Sequence, residues 1–139
     1  MSFINKPVIS LDLARKISDA AEAKAKAEGW KMVIAIVDHS GQLVHFTRMD
    51  HSLLISVRLS QLKASTSADI PVSTRRFREI AYNNAIGLDM TPGTTGVAGG
   101  LPIVTAAGQH LGAIGVSGGS EDQDEVCAQA GLDAVKDLL

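Results

Sequence analysis

Apolar residues recur at helical spacing in the first part of the chain and as continuous or alternating runs directly after it. From residue 10 to residue 27 the helical positions are Leu13, Ile17, Ala20 and Ala21. Ser10 suits the start of this helix and Gly29 its end. The runs "KMVIAIVD" and "LVHFTRMD" flank the turn residues "HSGQ". Two such runs around a short turn predict an antiparallel hairpin.

The second half of the chain repeats this order. A helix is predicted from Ser52 to about Ala68, with a buried stripe of Ile55, Leu59, Leu62 and Thr66. Residues 73–86 predict a short helix whose shared side is Phe77, Ile80, Ala81 and Asn84 or Ala85. A Gly-, Pro- and Thr-rich loop covers 84–100, with one short strand expected at its end. Two strands around a turn near Gly108, then a closing helix, complete the chain.

The order of these elements decides the fold class. Two hairpins between helices imply an antiparallel sheet covered by helices, because parallel strands would each need a crossover connection. We therefore predict an α+β fold. At 139 residues, of which 45% are hydrophobic, the chain suits one domain spanning 1–139.

Charge and composition limit the classes of partner that the protein is expected to bind. Thirteen basic and fifteen acidic side chains leave a formal charge of −2, which gives no field to attract nucleic acid. The longest apolar run, "MVIAIV", is too short to cross a bilayer. The N-terminus lacks a secretory pattern, and the single cysteine, Cys127, has no internal disulfide partner. We expect a cytoplasmic protein with a small-molecule ligand and neither a nucleic-acid nor a membrane partner.

The glycine-rich stretch "GAIGVSGGSEDQDEVC" raises the question of a phosphate-binding loop. Ser120 and Gln123 have capping-box spacing, and Glu121, Asp122 and Asp124 place negative charge in the first turn. A phosphate would be repelled there, so we interpret this corner as a self-capped helix start.

Glycines within the strand that precedes this corner are expected to allow close packing. Gly112 and Gly115 fall inside the predicted strand, where glycine suits the close approach of a helix. Gly131 in the last helix is the expected contact, because it offers a second small surface.

Other chemical motifs favour structural roles. The four histidines, His39, His45, His51 and His110, have no zinc-site spacing. Cys127 lies on an apolar helix stripe and is expected in the core. The motif "RRFRE" at 75–79 has no interleaved aromatic platform and the chain has no basic total charge, which favours a solvated face or a subunit contact.

The segment "TRMDHS" at 47–52 combines a cation, a carboxylate and an imidazole at the predicted junction of the second strand and second helix. Arg48, Asp50 and His51 suit the edge of a ligand cleft. The alternative is structural: Asp50 or Ser52 caps the helix and Arg48 pairs with an acid.

Four blocks in order, "VIAIVDHSGQLVHFTRMD", "LSQLKASTSA", "GGLPIV" and "LGAIGVSGGSEDQDEVCAQAG", resemble the HbpS/GlcG family, which includes the C-terminal domain of PduO-type corrinoid adenosyltransferases. The resemblance covers nearly the whole chain. It implies a profilin-like α-β-α fold with an antiparallel sheet of about five strands. Relatives include haem binders, haem-linked redox sensors and members encoded with glycolate or diol metabolism. Relatives also form dimers and larger assemblies, which implies a homo-oligomer.

The resemblance also implies a cofactor, haem or a corrinoid. A tetrapyrrole needs apolar walls, cations for its carboxylate arms and sometimes an imidazole for its metal. The residues expected to line one cleft for it are Arg48, Asp50, His51, Lys63, Thr66, Gly99 and Gly100. His51 is the preferred metal ligand. Two segments depart from the usual family pattern. Residues 50–52 are Asp-His-Ser, where relatives commonly have Asp-Gly-Ala. Residues 65–67 are Ser-Thr-Ser, where relatives often have a variable residue followed by Thr and Ala.

Three functions remain open from the sequence. The first is an accessory protein that binds haem or a corrinoid, linked to diol, glycolate or cofactor metabolism. The second is a small-molecule enzyme of unknown reaction with Asp50 and His51 as acid and base. The third is an oligomeric structural or regulatory protein without a cofactor.

Overall fold

The computed structural model describes residues 2–84 and 87–139. Its elements in chain order are α1 (Leu11–Glu28), β1 (Val33–Asp38), β2 (Leu43–Arg48), α2 (Ile55–Asp69), α3 (Thr74–Asn83), β3 (Gly100–Val104), β4 (His110–Ser117) and α4 (Glu121–Asp133). Short 3₁₀ turns cover Leu88–Met90 and Lys136–Leu138. Ala85 and Ile86, which the predicted helix 73–86 included, lie outside the described residues.

The strands form one antiparallel sheet in the order β2-β1-β4-β3, with helices on both faces. The α+β prediction and the α-β-α arrangement are confirmed. Within the described residues the sheet has four strands, where the resemblance implied about five. Both predicted hairpins are present.

The two faces of the sheet differ in side-chain size. Ile34, Ile36, Ile114 and Val116 belong to a large cluster with α1 and α4. The alternate residues of the same strands face α2 and are small: Ala35 and Ala113 join a second cluster with Ala64 and Ala68. Small residues on this face let α2 approach the sheet closely.

Gly115 shows how close that approach is. A Cβ at Gly115 would collide with the backbone oxygen of Ser60, and it would lie 2.6 Å from the backbone nitrogen of Ala64. The predicted close packing on this glycine is therefore confirmed, but the helix involved is α2. Gly131 of α4 instead packs against Ile17 of α1, where an added Cβ would lie 2.8 Å from the Ile17 oxygen.

The face of α2 that is buried differs from the predicted stripe. Its buried residues are Ser56, Ser60, Lys63, Ala64, Thr66, Ser67 and Ala68. Ile55 is exposed, and Leu59 and Leu62 are only half-buried. Thr66 is buried, but the prediction was wrong for Ile55, Leu59 and Leu62, because the glycine and alanine face of the sheet accepts only small or slender side chains. Two of the buried hydroxyls bond within the helix: Ser60 donates to Val57 O and Thr66 to Leu62 O. Ser56 Oγ pairs instead with Ser117 Oγ of β4 at 3.0 Å, and Ser67 Oγ has no hydrogen-bond partner among the described residues.

Three helix ends follow the predicted caps. Ser10 accepts from the Leu13 amide at the start of α1, and Gly29 ends it in the left-handed region with φ of 78°. Ser120 and Gln123 form the predicted capping box of α4. In the part of the chain that the structure describes, no helix is long and apolar enough to span a membrane.

Candidate functional site

The junction between β2 and α2, residues 48–55, carries an exposed imidazole. His51 has φ of 65° and is the one non-glycine residue with positive φ within 2–84 and 87–139. Such a conformation is uncommon outside glycine and often accompanies functional sites. Ser52 holds the turn by donating its hydroxyl to Met49 O at 2.8 Å. The turn thus presents the His51 ring to solvent.

The helix cap predicted for this junction is absent. Helix α2 begins after Leu54, which supplies no side-chain hydrogen bond, so neither Asp50 nor Ser52 caps it. The predicted ion pair of Arg48 is also not found among the described carboxylates. Arg48 and Asp50 are exposed instead.

Arg48 and Asp50 line a cavity of about 310 Å³ between the end of α1 and the end of β2. The other lining residues are Glu22, Lys26, Lys31 and Met49. Lys26 pairs with Glu22 at 2.9 Å. Lys31 and Arg48 therefore remain as cations that can meet an anionic group.

Large apolar side chains begin two residues after His51. Leu53, Leu54 and Ile55 are 59%, 76% and 57% exposed. Three adjacent exposed aliphatic residues form an apolar surface of the kind that marks a binding region. Junction 48–55 therefore brings together cations, an imidazole and an apolar surface.

Lys63 lies in a different environment, fully enclosed by protein. Its Nζ donates to Asp124 Oδ2 at 2.8 Å and to Val116 O at 2.9 Å, and the two side chains are 0% and 3% exposed. Burial lowers the pKa of Lys63 and raises that of Asp124, while the pairing of the two charges opposes both changes. Asp124 also accepts from the Gly119 amide at 2.8 Å, just before α4, so this carboxylate holds the start of α4 while its pairing with Lys63 ties α4 to α2.

Gly99 and Gly100 close over this buried pair. A Cβ at Gly99 would lie 2.8 Å from Lys63 Nζ and 2.5 Å from Val116 O, at a φ of 130°. At Gly100 it would lie 2.5 Å from Lys63 O, and the Gly100 amide donates to Thr74 Oγ1 at 3.0 Å. Both glycines are required by packing against protein, not by a free surface.

Thr66 ties the glycine-rich loop to α2. Its hydroxyl donates to Leu62 O at 2.7 Å and accepts from the Thr95 amide at 3.0 Å. The structure thus divides the seven predicted site residues into two groups. Lys63, Thr66, Gly99 and Gly100 form a buried group, and Arg48, Asp50 and His51 an exposed one.

Sheet order explains the division. Arg48 ends edge strand β2 and Gly100 begins the opposite edge strand β3, so β1 and β4 lie between them. Three strand spacings amount to about 14 Å. The expected convergence on one cleft is therefore not seen, and the binding role of the seven residues stays a prediction.

The motif "RRFRE" has a partner that was not predicted from the sequence. Arg75 pairs with Asp122 and Glu125, and Arg78 with Glu121 at 2.6 Å. Glu121 also accepts from the Ala98 amide at 2.8 Å, so this amide and Arg78 together lower its pKa. The opposite charges of residues 75–79 and 121–125 were the signal in the sequence from which this pairing could have been predicted. The acids of α4 thus bind α3 and the loop, which agrees with the rejection of a phosphate site.

The histidine, cysteine and carboxylate side chains of the described residues are the remaining candidates for metal or thiol chemistry. No cluster of three His, Cys, Asp or Glu side chains suited to a metal lies within 2–84 and 87–139. Cys127 is buried as predicted, and burial raises its pKa to about 11. Its thiol is a core group.

An antiparallel sheet between helices, with an exposed polar and apolar junction at one edge, defines the class of protein: a small α+β domain. The chain belongs to the family described as haem degrading protein HbpS-like, whose model matches residues 9–133. This confirms the resemblance found in the sequence blocks.

Individual relatives agree with that assignment. The chain is 34% identical over 134 residues to an uncharacterised 15.0 kDa protein of the dhaT-dhaS intergenic region of Citrobacter freundii, with 94% of each covered. It is 31% identical to a double mutant of Streptomyces reticuli HbpS, covering 96% of this chain and 90% of that one, with a TM-score of 0.90. It is 26% identical to PduOC crystallised as a haem complex, covering 92% and 95%, with a TM-score of 0.85.

Proposed function

We propose that this protein binds haem at the junction 48–55. The observation that carries the proposal is the likeness to PduOC in its haem complex, at 26% identity and a TM-score of 0.85. The family description as haem degrading protein HbpS-like supports the same ligand. A bound haem would supply an iron whose coordination and oxidation state can change.

The residues of the junction fit the parts of a haem. Leu53, Leu54 and Ile55 offer an exposed apolar surface for the plate. Arg48 and Lys31 line the adjoining cavity and suit the two carboxylate arms. His51 supplies an exposed imidazole for the metal. In contrast, Lys63 does not suit the arms, because both of its hydrogen bonds would have to break first.

The exposed junction can cover only one side of a flat ligand, so the oligomeric state of the protein decides what covers the other side. The apolar residues 53–55 are exposed in a single chain, so a second copy is the expected cover for the other side of the plate. We therefore include a homo-oligomer in the proposal. Light scattering at micromolar concentration is expected to give a multiple of the chain mass of 14.6 kDa, and a monomer mass would contradict this part.

Haem titration followed at the Soret band tests the site. The wild-type protein is expected to shift the band, and His51→Ala to alter the shifted spectrum because it removes the iron ligand. Arg48→Gln should weaken binding by up to about tenfold, since a hydrogen bond to a charged group contributes about 1.5–3 kcal/mol and exposure reduces this. His39→Ala, at the hairpin turn, is the matched histidine control and should behave as wild type.

Two results would overturn the proposal. An unshifted band with the wild-type protein would exclude haem, and binding of a corrinoid in a parallel titration would then favour the other expected cofactor. A spectrum that His39→Ala alters and His51→Ala does not would place the ligand elsewhere.

A further inference from the structure

A second cavity, distinct from the junction, lies between the β1–β2 turn and the outer side of α2. Its volume is about 490 Å³, within the range of small-molecule sites. The lining residues are Val37, Gly41, Gln42, Leu43, Arg58, Gln61, Leu62 and Ser65. None of the seven residues predicted from the sequence is among them.

The turn and the helix meet at one end of this cavity. Gly41 has φ of 81°, and a Cβ there would lie 3.8 Å from Ser65 Cβ. The side chains of Val37, Leu43 and Leu62 give the cavity a largely apolar wall. An apolar body therefore fits between the turn and α2.

The lining carries one charge, the guanidinium of Arg58, and no acid. No carboxylate within residues 2–84 and 87–139 pairs with it, whereas Arg75, Arg76 and Arg78 are all paired. Asp38 at the start of the turn is occupied, because its carboxylate accepts from the amides of Ser40 at 2.9 Å and Gln42 at 3.0 Å. Arg58 is thus an exposed cation beside an apolar wall.

The other polar side chains of the wall have partners within the protein. Gln61 Nε2 donates to Val57 O at 2.8 Å. Ser65 Oγ lies 3.1 Å from Leu62 O and 3.2 Å from Gly93 O, so its single proton is used there. Arg58 is therefore the strongest donor that the lining offers to a ligand.

We propose that this cavity binds a small organic acid with an apolar body, its carboxylate held by Arg58. The guanidinium fork matches the two oxygens of a carboxylate, and Leu43 and Leu62 contact the hydrocarbon. A neutral ligand of the same length would lack the charged partner. The proposal is independent of haem binding at 48–55.

Octanoate and 1-octanol are the matched probes, because they share an apolar chain and differ in the charged group. Amide chemical shifts in the ¹⁵N-labelled full chain report where each binds. Octanoate is expected to shift the amides of 41–43 and 58–65, and to bind more tightly than octanol. Arg58→Gln should weaken octanoate about tenfold and leave octanol unchanged. Arg15→Gln, an exposed arginine of α1, is the control and should match wild type.

The absence of shifts at 41–43 and 58–65 at millimolar octanoate would overturn the proposal. Equal affinity for octanoate and octanol would also overturn it, because Arg58 would then recognise nothing. Leu43→Gln provides a second check that does not depend on charge: it should weaken both probes, and unchanged binding of both would exclude this wall. No haem is present in these measurements, so failure here and failure at His51 are separate results.

Discussion

The two sides of α2 reverse the usual distribution of polar and apolar residues. The inner side, which faces the sheet, carries Ser56, Ser60, Lys63 and Ser67, all buried. At the outer side and N-terminal end, Leu54, Ile55 and Arg58 are exposed. Slender polar residues lie inside because Gly115 admits nothing wider against the sheet. The apolar residues on the outer side are then available to ligands. The inner side of α2 therefore contributes to stability and the outer side to binding.

Removing the buried charge of Lys63, on the inner side of α2, should have the largest effect on the free energy of unfolding. Lys63→Met leaves the buried Asp124 without its partner, and breaking such a pair costs about 3–5 kcal/mol. The free energy of unfolding from urea denaturation measures this. Adding Asp124→Leu should recover part of the loss, although the Gly119 amide then loses its acceptor. A Lys63→Met protein as stable as wild type would refute a structural role for the pair.

Replacing Gly115 by alanine should have the next largest effect on the free energy of unfolding. In Gly115→Ala the new methyl group meets Ser60 O and the Ala64 amide, so α2 must move away from β4. Overpacking of this kind costs about 1–3 kcal/mol or more. Gly108→Ala is the comparison, because its added Cβ meets nothing within 4 Å and only its φ of 84° is strained. Equal losses in the two variants would contradict close packing of α2.

The smallest effect is expected at the exposed ion pairs of α3 and α4. The pKa of Glu121 is held below its ordinary value of 4.5, chiefly by the Ala98 amide and then by Arg78. Its folded-state pKa is depressed, so its contribution is present above 4.5 and is lost as pH falls through the lower folded value. Glu121→Gln should cost less than about 1 kcal/mol at pH 7.

The pH dependence sharpens this last prediction. Stability of the wild-type protein should fall more steeply below pH 4.5 than that of Glu121→Gln. Glu79→Gln is the matched control, because among the described residues Glu79 pairs within α3 alone, with Arg76 at 3.1 Å. Identical acid curves for wild type and Glu121→Gln would argue against the link between α4, α3 and the loop.

The sequence pattern predicts the hairpins, the caps of α1 and α4 and the fold class well because these depend on local spacing. The apolar runs of β1 and β4, the Ser120 capping box and the Gly29 end of α1 are all local signals. The buried side of α2 depends instead on a strand about 50 residues later, whose glycine and alanine positions select slender partners. Hydrophobicity alone therefore favoured Ile55, Leu59 and Leu62, which are not fully buried.

The candidate site shows the same limit. His51 and Arg48 are close in sequence, and the structure keeps them at one exposed junction. Lys63, Gly99 and Gly100 also carry a family pattern, but their proximity to Asp124 is a tertiary contact that no local spacing indicates. The cavity at Arg58 arises from the turn at Gly41 meeting α2, and no local motif indicates it.

Haem affinity of Leu54→Gln, measured together with its free energy of unfolding, tests most directly whether junction 48–55 binds the ligand. Leu54 is 76% exposed, so its replacement should change stability by no more than about 0.5 kcal/mol. We predict weaker haem binding with unchanged unfolding. Haem binding equal to wild type would contradict the placement of the plate on this surface.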